Sequence, residues 1–214
     1  MRKQYDQQLQ KLNAELLHMG EMIQQAISGA VTALLERDDS KAHEVIAFDE
    51  EIDQQERTVE QMCYKLLLSQ QPVASDLRMV SSVLKMITDM ERIGDHAADI
   101  SELELMLEDL PPLSNDHLRE MATQTSVMLI RSIESFAERD AKKAQWVIDQ
   151  DDVVDELFDR VKNELIAAIH HDPQIGEQAT DLLMAAKYFE RIGDHATNIA
   201  EWAIFAMTGR HVSD

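Results

Sequence analysis

The chain carries a single cysteine, Cys63, in 214 residues, which excludes an intrachain disulfide and any cysteine-rich zinc site. That is consistent with a reducing compartment, and core packing is the role expected for the lone thiol. Glycine and proline are also scarce, 6 and 4, while 44% of residues are hydrophobic. Such a chain is neither disordered nor fibrous and can bury a good core as one or two compact units. No stretch approaches the length of a membrane span. The opening from Met1 to Asp6 leads into a polar amphipathic stretch without the apolar run of a signal peptide, so a cytoplasmic protein with no direct membrane insertion is expected. Bases are in deficit: 20 Lys and Arg face 41 Asp and Glu, a formal net charge of −21. Most of the surface therefore repels phosphate backbones and anionic lipid, which disfavours nucleic acid and favours cations or basic protein patches as partners. There is no glycine-rich phosphate loop, nucleophile elbow or Cys/His pair in a recognisable context, so the chain is not expected to be an enzyme. Trp146, Trp202 and the 12 methionines read as packing or contact surface.

What is present is a duplication. Glu-Arg-Ile-Gly-Asp-His-Ala occurs at Glu91 to Ala97 and again at Glu190 to Ala196. Glu36-Arg37-Asp38 answers to Glu138-Arg139-Asp140, and Val45-Ile46 to Val147-Ile148. Asp49 and Asp53 align with Asp151 and Asp155 at an offset of 102 (151 minus 49), whereas the heptapeptides are offset by 99 (190 minus 91). A three-residue deletion between these blocks in the second copy reconciles the two (102 minus 99). A repeat of this length implies two similar units and not a short-period solenoid.

Periodicity is helical almost throughout, and no segment alternates with period two for long enough to demand a strand. Punctuation divides the chain into six helices. The first runs to about Arg37; Asp38-Asp39-Ser40 offers caps for a second through about Ser69; Gln71-Pro72 opens a third that reaches about Glu108. The Pro-Pro cluster at Asp109 to Ser114 is the natural linker between units at 1–110 and 111–214. A fourth helix reaches about Arg139, Asp140 caps a fifth, and Asp172-Pro173 marks the cap and first turn of a sixth that ends near Gly209. The expected fold is all-α, two tandem antiparallel three-helix bundles.

The acids fall on inward stripes. In the third helix Val73, Leu77, Val80, Leu84 and Ile87 lead into Glu91 and Asp95, which are spaced i, i+4 and so stack on one face. In the second helix Val45, Asp49, Ile52, Glu56, Val59, Cys63 and Leu66 put Asp49 inward, with Asp53 one turn along. The fifth helix repeats this with Val147, Asp151, Val154, Phe158 and Val161, and with Asp155 beside them. Gathering ionised carboxylates penalises the charged form through desolvation and like charge, so a positive group should sit among them. One candidate is a hard cation such as Mg²⁺, Ca²⁺, Mn²⁺ or iron on all-oxygen ligands. The other is an internal ion-pair network built on Arg92, Arg191, Lys85 and Lys187. Gly94 and Gly193 cost each helix about 1 kcal/mol relative to Ala and permit close approach, of a packed helix or of a ligand. His96 and His195 point about a quarter-turn from the adjacent Asp and are weaker ligand candidates. A ferritin-like di-iron centre would want Glu-x-x-His pairs; the one match, Glu15 to His18, has no counterpart in the second copy. His170-His171 suit a helix C-terminus without catalytic duty.

The doubled Glu-Arg-Ile-Gly-Asp, the Pro72-Val73-Ala74-Ser75-Asp76-Leu77-Arg78 segment, the Asp49 and Asp151 pairs and the six-helix layout together resemble the PhoU family of phosphate-transport regulators over essentially the whole chain. That resemblance implies a six-helix fold with pseudo-twofold symmetry between its two bundles, and acidic motifs that in some members hold multinuclear iron or other metal clusters. Carried over by position, it implicates Asp49, Asp53, Glu91, Asp95 and Asp99 in one half and Asp151, Asp155, Glu190, Asp194 and Asn198 in the other, with iron, zinc, manganese or magnesium as the metal. The charge at Asp99 against the amide at Asn198 makes the two sites unequal. The resemblance further implies a homodimer that works at the inner face of the membrane through protein partners. It would link the ATPase subunit of a phosphate ABC transporter to a phosphate-responsive sensor histidine kinase, repressing the starvation response when phosphate is plentiful. A carboxylate-bridged metalloenzyme and a metal-free helical interaction module are the alternatives the residues leave open.

Overall fold

The structure, a computed structural model, describes residues 2–69, 73–107 and 116–212. The helices are α1 (Arg2–Glu36), α2 (Asp39–Ser69), α3 (Ala74–Met106), α4 (Asp116–Glu138), α5 (Ala141–Asp149), α6 (Asp151–His171) and α7 (Gly176–Thr208), with a 3-10 turn at Pro173–Ile175. No strand occurs among the described residues. The Gln71-Pro72 opening and the linker at Asp109 to Ser114 lie outside them.

The repeated Glu-Arg-Asp triplets make the same turn twice. Arg37 and Arg139 both enter the left-handed region, at φ 56° and 57°. The following amide then closes the helix end from five residues along: Asp38 N donates to Ala33 O at 3.1 Å and Asp140 N to Ser135 O at 2.9 Å. Each Asp next caps the following helix. Asp38 Oδ1 accepts from Lys41 N at 3.0 Å, and Asp140 Oδ1 from Lys142 N at 2.9 Å and Lys143 N at 3.2 Å.

Three details differ from the periodicity. The expected fifth helix is divided at Gln150, whose N–H is shared between Trp146 O and Val147 O while Gln124 Nε2 donates to its side-chain oxygen at 2.7 Å. Asp172 caps the 3-10 turn through Gln174 N, and the last helix begins only at Gly176. Helix α3 stops at Met106, and its first stripe residues, Val73 and Leu77, are exposed at its N-terminal end. The three-residue deletion falls in the connection before the last helix of each half. Helices α2 and α6 end at Ser69 and His171, still 102 apart, whereas the buried positions of the last helices, Val80 with Ala179 and Val83 with Leu182, correspond at 99.

Helices α1, α2 and α3 pack on one another, and α4 packs on α5, α6 and α7. Contacts between the two sets join equivalent elements, α1 with α4 and α3 with α7, as a two-fold relation requires. Rings that correspond in the repeat meet across this junction: His96 and His195 have centroids 5.6 Å apart. The core is aliphatic and continuous through both halves, with Leu12, Leu16, Met19 and Ile23 of α1 and Ile93, Ala97 and Ile100 of α3 wholly enclosed. Cys63 lies in that core, where burial pushes its thiol up to about 12 and keeps it an inert packing group. Among the described residues no helix is long and apolar enough to cross a membrane.

Candidate functional site

Helices α2 and α3 approach closely because α3 has no side chain at Gly94. A Cβ there would stand 3.1 Å from Ile52 Cγ2 and 3.3 Å from Asp49 Oδ1. The glycine thus serves helix packing and room beside the carboxylate at once. At that crossing Asp49, Asp53 and Asp95 each offer an oxygen within 4.8 Å of the others, and all three are partly buried. Among the described residues this is the one group of three or more His, Cys, Asp or Glu side chains so arranged.

The charges around the trio are uneven. Arg57 Nη2 lies 3.0 Å from Asp53 Oδ2, Arg92 Nη1 2.9 Å from Asp95 Oδ2 and Arg92 Nε 3.6 Å from Glu91 Oε2. Among the described residues Asp49 has no such base, and its Oδ1 is buried with no hydrogen-bond donor. Burial, then the nearby Asp95, Asp53 and Asp99, push its carboxyl up to about 6. Glu91 is raised for the same reasons, burial first and then Asp95, with Arg92 opposing. Glu56, one turn beyond Asp53, is raised by burial, Glu60 and Asp53 and borders the same acidic face. The inward stripe already contained it, so the spacing argument could have found it. Asp99 accepts from His96 Nδ1 at 3.1 Å while still acting on Asp49. Three hard oxygens, one of them unpartnered, fit a cation such as Mg²⁺, Mn²⁺ or iron.

The second half keeps the layout and loosens it. Gly193 faces Val154, the counterpart of Ile52, at an ordinary 3.4 Å. Asp151 accepts from Thr197 Oγ1 at 3.2 Å; the first-half position that corresponds to Thr197 is Ala98, which offers Asp49 nothing. Asp151 is raised by burial and by Asp194, and Asp194 by burial and Asp155, so the three act on one another. Asp155 and Asp194 are exposed, however. Lys187 pairs with Glu190. Asn198 is drawn to the other half: its Nδ2 donates to Asp89 Oδ1 at 3.1 Å, beside His195 Nδ1 at 2.9 Å from the same oxygen. Asp89 gave no signal in sequence because the contact joins residues on different halves. Its repeat counterpart, Tyr188, sits against His96 with ring centroids 5.4 Å apart.

Fold and site define a duplicated helical-bundle protein that places carboxylates at the same helix crossing in each half, partly buried in the first and more exposed in the second. The chain belongs to the PhoU family: the PhoU domain model matches residues 16–103 and again 118–203. A phosphate-specific transport system accessory protein PhoU homolog from Clostridium acetobutylicum is 36% identical over 99% of this chain and 97% of its own length. The homolog from Pseudomonas aeruginosa is 33% identical over 98% of this chain and 88% of its own. Among solved structures, PhoU from Pseudomonas aeruginosa superposes with a TM-score of 0.90 at 33% identity, covering 96% of this chain and 100% of that one. The phosphate transport system regulatory protein PhoU from Streptococcus pneumoniae gives 0.90 at 29% identity, covering 97% and 99%.

Proposed function

We propose that this chain is a non-enzymatic accessory regulator of phosphate transport. It connects the ATPase subunit of a phosphate ABC transporter to a phosphate-responsive sensor histidine kinase and represses the starvation response when phosphate is plentiful. The observation that carries this is similarity along nearly the whole chain to relatives described as phosphate-specific transport system accessory proteins. An acidic helical surface of net charge −21 supports docking on basic protein patches. The protein works in the cytoplasm as a homodimer, at the inner face of the membrane through its partners, with the two units divided between residues 110 and 111. Asp49, Asp53 and Asp95, flanked by Glu91 and Asp99, hold a hard cation that neutralises their charge and ties α2 to α3. Asp151, Asp155, Glu190, Asp194 and Asn198 form a weaker counterpart. Deleting the gene should raise expression of phosphate-scavenging genes in phosphate-rich medium, measured by reporter or transcript; unchanged expression contradicts the proposal.

One observation favours a metal-free network instead, namely that Arg57 and Arg92 already pair with Asp53 and Asp95. That alternative requires Asp49 to stay bare, and elemental analysis separates the two.

A further inference from the structure

Arg37 and Arg139 are equivalent residues in the same left-handed turn, yet among the described residues only Arg37 has an acidic mate. Arg37 Nη1 lies 3.5 Å from Glu104 Oε2, a buried carboxylate on α3. The position that corresponds to Glu104 in the second half is Ala203 (104 plus 99), so Arg139 has no such partner. Its Nη2 reaches the thioether of Met79 at 3.9 Å instead, a weak acceptor. Arg139 and Arg78 both line a cavity of about 340 Å³ between the start of α3 and the ends of α4 and α7. Arg78 lies beside Gly209, the left-handed cap of α7, where a Cβ would stand 3.4 Å from Arg78 Nε. That Nε is buried without an acceptor. Among the described residues neither guanidinium makes an ion pair, in a chain where acids outnumber bases two to one. One carboxylate, Asp76, shares the wall with the two guanidiniums, which leaves the lining net positive.

We propose that this cavity binds a small organic oxyanion, its phosphate or carboxylate group held between Arg78 and Arg139 and its compact apolar body resting on Met79, Phe136 and Met207. A planar guanidinium fork matches the oxygens of either group in bidentate fashion, and an anion would satisfy the buried Nε donor. Ser75 and the N-terminal turn of α3 open on the same cavity and add the positive end of a 33-residue helix. The apolar share of the wall suits a ligand larger than a bare inorganic anion. The cavity shares no residue with the carboxylate trio, so either site can fail without the other.

The test uses the full chain, freed of metal with chelator, and titration calorimetry with phenyl phosphate, benzoate and neutral benzyl alcohol. At least one anion should bind saturably at one per chain, with Kd about 1 mM or tighter and weakening as salt rises, while benzyl alcohol binds about tenfold more weakly or not at all. A preference for phenyl phosphate identifies a phosphorylated ligand and a preference for benzoate a carboxylated one. Arg78→Gln and Arg139→Gln, with helical circular dichroism intact, should each weaken the preferred anion about tenfold. Should either Gln variant fail to fold, Arg139→Lys keeps the charge, removes the fork, and should still weaken binding. Failure of both anions to saturate, equal binding of benzyl alcohol, or wild-type affinity in the folded arginine variants overturns the proposal.

Discussion

Asp49 combines burial with three like charges and has no base of its own among the described residues, and its carboxyl is pushed up to about 6. Glu104 reaches about 7 for a related reason: burial outweighs the attraction of Arg37. Both values lie above those of the unfolded chain, so the stability each contributes is complete below about pH 4 and is lost as pH rises, through 6 for Asp49 and through 7 for Glu104. In chelated protein Asp49→Asn should therefore gain thermal stability relative to wild type as pH rises from 4 to 7, and added Mn²⁺ should raise the wild type but not the variant. Melting curves at four pH values check this; a difference between the two proteins that ignores pH contradicts it. The acid positions were legible because stacked i, i+4 carboxylates and an inward stripe are local patterns. The inequality of the halves was legible only in part. Asp99 against Asn198 hinted at it, but what separates Asp49 from Asp151 is a hydroxyl at Thr197 where the first half has Ala98, a contact between neighbouring helices.

Helices were readable from period and punctuation, since the caps at Asp38 and Asp140 and the left-handed stop at Gly209 are chemical signals within a few residues. The break at Gln150 was not, because it is stabilised by Gln124 on another helix. The two motif glycines also differ in a way that only packing reveals. Replacing Gly193 by Ala meets Val154 at an ordinary distance, so the helix propensity gain of up to about 1 kcal/mol should be kept. Replacing Gly94 by Ala presses on Ile52 and Asp49 at 3.1 and 3.3 Å, so α2 must shift. Chemical denaturation should show Gly193→Ala neutral to stabilising and Gly94→Ala destabilising by about 1 kcal/mol or more. The reverse order would mean that Gly94 does not set the α2 to α3 spacing.

Across the whole molecule the duplication places α3 against α7 and α1 against α4, so each half buries its partner's equivalent helices and the two acidic crossings belong to one body. The repeat in sequence revealed the two units, and family resemblance supplied their symmetry; the junction through His195, Asn198 and Asp89 emerged only in three dimensions. The trio of Asp49, Asp53 and Asp95 is the tighter of the two crossings, and a bound hard cation there is the central claim. Elemental analysis of protein purified without chelator tests it directly. Wild type should carry stoichiometric iron, zinc, manganese or magnesium, Asp95→Ala should lose the first-half metal, and Asp95→Ala combined with Asp194→Ala should lose all of it with helical content retained. Metal-free wild type, or metal retained in the double variant, would contradict the account.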